Sequence, residues 1–103
     1  MIRTEQLSPD TIMFYVEGIF HQKIAQELSL AVFRSHRLGF KAFLFNLRHV
    51  SYWDNQGSHN LALIGQGLEE KGCTWRIIQA PLSAGDQLIL PTSLQQIPPA
   101  SWN

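Results

Sequence analysis

Two short extended runs open the chain, Ile2 to Leu7 and Thr11 to Val16, separated by the turn cluster Ser8-Pro9-Asp10. That pattern predicts an antiparallel hairpin whose second strand ends at Gly18. Beyond Ile19, Phe20 and His21 the apolar period changes from two to about four. Ile24, Leu28, Ala31 and Val32 form one stripe, as on an amphipathic helix packed against a sheet. His36 and Arg37 suit the negative end of that helix, and Gly39 suits the left-handed residue that follows its cap.

Lys41 to Leu47 (KAFLFNL) is nearly continuous in apolar residues, as expected of a central strand covered on both faces. Arg48 to Asn55 then reads as a polar and aromatic loop. Leu61, Ala62, Ile64 and Leu68 give a second helical stripe, stopped at Lys71 and Gly72, and Thr74 to Ile78 reads as another strand. After Pro81 the signal weakens. Leu82 to Gln87 has room for a reduced third helix, Leu88 to Leu90 is a candidate edge strand ended by Pro91, and residues 97–103, with Pro98 and Pro99, are expected to fray. Strand and helix alternating with short connections imply an α/β domain. The expected form is an N-terminal antiparallel hairpin joined to a mostly parallel sheet of four to five strands, with two main helices and a reduced third.

The 103 residues suffice for one domain, and 45% hydrophobic residues can supply its core. Only 16% are charged, and eight Lys+Arg balance eight Asp+Glu. A surface with few charges suits a docking face or an oligomer contact. The absence of a basic run disfavours nucleic acid. Glu17, Lys41 and Arg48 interrupt the apolar stretches, so membrane insertion is not expected. With no leader-like N-terminus and the lone Cys73, a reducing cytoplasm is the expected location. The four histidines lack metal-ligand spacing, and Gly65 and Gly67 lie inside a helical stripe rather than after a strand. Neither a metal, another cofactor nor a phosphate loop is expected. Asp54, Ser58 and His59 are too close along one helix to assemble as a triad, so catalysis is not expected.

The segment Phe45 to Ser58, FNLRHVSYWDNQGS, resembles the central strand, loop and Asp-Ser-Ser-Gly turn of the STAS family. That family includes anti-sigma-factor antagonists, stressosome subunits, sulfate-transporter tails and a phospholipid-transporter subunit. Val50, Asp54 and Gly57 match in register, Gly18 and Gly72 support the match, and the resemblance covers about residues 11 to 80 of a single STAS-like domain, 1–103. It implies a bacterial, non-catalytic module acting in signal transduction and regulation of transcription. Its partner would be a protein, such as a kinase-type anti-sigma factor or a transporter ATPase. A homodimer is also compatible with it. A structural subunit of a transporter, or an oligomeric signalling scaffold, is the alternative.

The residues placed at the partner contact by this resemblance are Tyr52, Trp53, Asp54, Asn55, Gln56, Gly57 and Ser58. In the family a serine or threonine just before the glycine is phosphorylated, which brings about two negative charges into the docking face. Here that position is Gln56, preceded by Asn55, and Asn46 stands where the family has an acid at the end of the central strand. The usual switch is therefore expected to be missing, with Ser58 and Ser51 as the remaining candidate phosphosites. Asp54 is expected to cap the second helix, a role compatible with partner contact. Gly57 reads as a tight turn or close approach, or as an ordinary loop glycine. Trp53 is expected to be buried and Tyr52 exposed.

Overall fold

Among the described residues four strands and two helices follow one another as β1 (Ile2–Ser8), β2 (Thr11–Phe20), α1 (Gln22–Arg37), β3 (Ala42–Trp53), α2 (Asn55–Glu70) and β4 (Thr74–Gln79). The structure is a computed structural model, and it describes residues 1–79. The reduced third helix, the candidate fifth strand at Leu88 to Leu90 and the tail 97–103 lie outside the described residues. The sheet order is β1-β2-β3-β4. β1 pairs antiparallel with β2, whereas β2–β3 and β3–β4 are parallel. Two successive crossovers stepping in the same direction across a sheet are both right-handed only if their helices share one face. α1 and α2 accordingly pack side by side.

Among the described residues the cover comes from one side, and the burial pattern of the strands follows it. Phe43, Phe45 and Leu47 of β3 are wholly buried together with Phe14 and Val16 of β2, while Ala42, Leu44 and Asn46 between them are half-buried. Among the described residues the strand thus alternates, with the larger residues toward the helices. Phe14 stacks on Phe45 with ring centroids 5.7 Å apart, and Trp75 meets Phe45 edge-on at 6.3 Å. Leu28 and Val32 of α1 and Leu61, Ile64 and Leu68 of α2 close this core. A side chain at Gly65 would collide with the Trp75 ring, so that glycine lets α2 lie directly on β4. The Trp75 indole N–H donates to Glu69 at 3.0 Å, satisfying its polar edge.

The helix ends follow local chemistry. α1 closes with Leu38 as C-cap and Gly39 at φ +106°. The Gly39 N–H donates to His36 O and the Phe40 N–H to Ser35 O, the paired bonds of a Schellman motif. The Asp10 carboxylate in the hairpin turn accepts from the Ser8 hydroxyl at 2.8 Å and the Thr11 hydroxyl at 3.2 Å. These bonds, Ser8 first, hold its carboxyl below the ordinary value of 3.8. The Asp10 carbonyl in turn accepts from the N–H groups of Lys41 and Ala42, tying the hairpin turn to the start of β3.

Gly18 does not end β2. It takes φ +89° and the strand continues to Phe20, which is fully buried. The left-handed residue re-aims the strand, which a sequence pattern registers only as a break.

Candidate functional site

β3 also runs on where a loop was expected. Its pairing with β2 slips between Tyr15 and Glu17 and again between Gly18 and Ile19, so that β3 carries an extra residue at each slip. At the first slip the Asn46 side-chain oxygen accepts the Arg48 N–H at 3.0 Å. Such bulges re-phase the side chains. Val50 is buried three residues after Leu47, an odd spacing that a regular strand could not give. Arg48, His49, Ser51 and Tyr52 are exposed. Tyr52 stands opposite Ile19 on β2, and these two large apolar side chains are 58% and 51% exposed. Trp53 is the last residue of β3 and pairs with Phe20; the burial expected of its side chain lies outside what is described.

Asp54 alone connects β3 to α2. Its backbone is extended, its carboxylate accepts the Gly57 N–H at 2.6 Å, and its carbonyl accepts the Ser58 N–H. It is therefore the N-cap of α2, satisfying one of the helix's unpaired donors. Gly57 is buried, and a Cβ there would fall on the carbonyl oxygen and ring of Phe20. Its φ is not left-handed, so the glycine serves close approach of α2 to the end of β2 and not a turn. Asn55 and Gln56 are exposed, whereas Ser58 is only 3% exposed.

The start of α1 lies beside the start of α2. His21 caps α1, its ring Nδ1 accepting from the N–H groups of Lys23 at 3.1 Å and Ile24 at 3.4 Å. His21, Gln22, Lys23 and Gln26 of the first helix and Asp54 and Gln56 of the second line one open cleft of about 450 Å³. Two positive helix ends therefore point to the same side. Sequence reasoning missed Ile19 and His21 as members of this surface. None of the usual capping residues, Ser, Thr, Asp or Asn, precedes that helical stripe, so the sequence carried no ordinary signal for the cap.

The Asp54 carboxylate is engaged by its own helix, Ser58 is buried and the neighbouring His59 is exposed. No helix among the described residues is long and apolar enough to cross a membrane.

No family model and no curated protein sequence matches the chain. Solved structures do. SpoIIAA, the Bacillus cell fate determinant in its phosphorylated form, superimposes with a TM-score of 0.63 at 12% identity, over 74% of this chain and 69% of its own. The unphosphorylated anti-sigma factor antagonist SpoIIAA gives 0.61 at 15% identity, over 81% and 73%. Mglu gives 0.65 at 20% identity, but this chain spans only 18% of the Mglu chain. At these identities the likeness is one of fold. A four-stranded sheet, antiparallel between β1 and β2 and parallel onward, with two helices on one face, gives this chain the STAS-like α/β fold of SpoIIAA.

Proposed function

We propose that residues 1–103 act as a single, cytoplasmic, non-catalytic interaction domain. It docks on a protein partner through the turn from Tyr52 to Ser58. The observation that carries this reading is the exposed Ile19–Tyr52 pair set against the capped start of α2. A large aromatic beside polar helix-end groups is the composition of an interface anchor. The likeness to an anti-sigma factor antagonist supports a regulatory role and a kinase-type anti-sigma factor as partner.

Regulation at the family's phosphorylated position has no chemical basis here, because Gln56 offers an amide and no hydroxyl. Of the two remaining candidate phosphosites, Ser51 is accessible, while Ser58 would have to be uncovered first. The missing hydroxyl at Gln56 favours a second reading, a constitutive structural subunit docked on a transporter ATPase or within a signalling scaffold. Calorimetric titration against candidate anti-sigma kinases and transporter ATPases from the source genome tests both. Tyr52→Ala is expected to weaken binding by about 30-fold, an anchor-sized loss. Unchanged affinity in Tyr52→Ala and in Gln56→Arg would remove the turn from the interface. Binding to the ATPase and not to the kinase would select the structural reading.

A further inference from the structure

Among the described residues β1 is the outermost strand of the sheet, and Arg3 to Leu7 are all exposed. Met1 and Glu17 exchange both backbone hydrogen bonds, Met1 N–H to Glu17 O and Glu17 N–H to Met1 O, each 2.9 Å. In an antiparallel ladder such pairs alternate. With the register Arg3 opposite Tyr15 and Glu5 opposite Met13, the N–H and C=O groups of Arg3 and Glu5 turn toward β2. Those of Ile2, Thr4 and Gln6 turn outward, to the free edge.

On one face of that strand Met1, Arg3, Glu5 and Leu7 read apolar, positive, negative, apolar; Arg3 lies 3.5 Å from Glu17 and over the Tyr15 ring, and Glu5 accepts from the Tyr15 hydroxyl, so both charges are held along β1 by exposed contacts to β2. Met1 and Leu7 are 71% and 48% exposed. This series is its own complement when a second copy runs antiparallel to it. A two-fold axis through Thr4 sets each Arg3 opposite the other copy's Glu5 and brings each Met1 to the other copy's Leu7. An axis through Arg3 would face arginine with arginine, and one through Glu5 would face two carboxylates. An axis between residues would set opposite faces of the pleat side by side. Single-sign charges on an edge strand repel every register; the alternating pair here sets each charge opposite its complement only about Thr4, whereas axes through Ile2 or Gln6 leave the charges facing apolar residues.

In that register Thr4 faces Thr4, and Ile2 faces Gln6. These are the residues whose backbone groups point outward, so their donors and acceptors meet. Arg3 and Glu5 then fall at a non-hydrogen-bonded pair, where side chains come closest. We propose that β1 is a self-association edge, joining two copies strand to strand about Thr4 into one continuous sheet. The proposal is independent of the turn at Tyr52 to Ser58, which lies on other strands.

Sedimentation velocity of the full chain over a concentration series tests it, with circular dichroism reporting the fold of each variant. The expected result is a monomer–dimer equilibrium that Arg3→Glu alone and Glu5→Arg alone each weaken by at least about tenfold. The double variant R3E/E5R restores the complement in reverse and should recover dimerisation. Thr4→Pro removes an outward N–H that β2 does not use, so it should abolish the dimer and leave the monomer's spectrum unchanged. A monomer at every concentration, a dimer indifferent to Thr4→Pro, or a charge swap without rescue would overturn the proposal. A dimer lost in Tyr52→Ala but kept in Arg3→Glu would move self-association to the other surface and overturn it equally.

Discussion

The two halves of β3 are built to opposite specifications. From Ala42 to Asn46 the strand is paired on both sides, to β2 and to β4, and its alternate side chains Phe43 and Phe45 are wholly buried. From Leu47 to Trp53 it slips register twice against β2 and exposes Arg48, His49, Ser51 and Tyr52. The first half is where one strand organises the core, and the second, while still burying Leu47 and Val50, is where the same strand lifts its other side chains out of it. A bulge is the cheapest device for that conversion, since it re-aims side chains without ending the ladder.

Substitutions should separate the halves by what they damage. Phe45→Ala empties a site against Phe14 and Trp75 and is expected to cost about 3–5 kcal/mol, read as a lower midpoint in urea. Gly57→Ala, at the junction of the display half with β2, forces a methyl onto Phe20 and should cost about 1–3 kcal/mol. A midpoint equal to wild type there would mean that α2 can back away freely. Asp54→Ala removes the cap and should cost about 1 kcal/mol, with Asp54→Ser recovering most of it. Tyr52→Ala should shift stability by less than about 0.5 kcal/mol, leaving its effect in binding alone; a larger loss would make Tyr52 part of the core.

The smallest effect concerns the hairpin turn between β1 and β2. The Asp10 carboxyl is held below its ordinary value by the Ser8 and Thr11 hydroxyls. A group whose folded value is depressed adds stability above its unfolded value of about 3.8, which is lost as pH falls through the lower folded value. A slight drop in the urea midpoint over that acid range, absent in Asp10→Asn, is expected; no difference between the two proteins would assign acid sensitivity elsewhere.

The same contrast governs what could be read without coordinates. The helical stripes through Leu28 and Val32 and through Leu61, Ile64 and Leu68 were legible because burial on one helix face repeats at a fixed spacing. The hairpin, the Gly39 terminus and the Asp54 cap were legible because turn and cap chemistry is local. Gly18 and the stretch Arg48 to Trp53 were misread as a strand end and a loop. Both are strand segments in which a left-handed glycine or an added residue breaks the period of two, and a broken period looks the same as no strand. Ile19 was invisible as a surface residue because its exposure depends on the register with Tyr52, a relation between distant parts of the chain.

A single residue, Asp54, joins the end of β3 to α2, and that leaves no slack between them. An α-helix turns about 100° for each residue, so lengthening the strand by one would swing Gly57 away from Phe20 and rotate a different set of side chains outward. The length of β3 works like a gear tooth count, fixing the angular phase at which the helix presents itself. Evolution can exchange the residues on show, but inserting one before them would have to re-index the core as well.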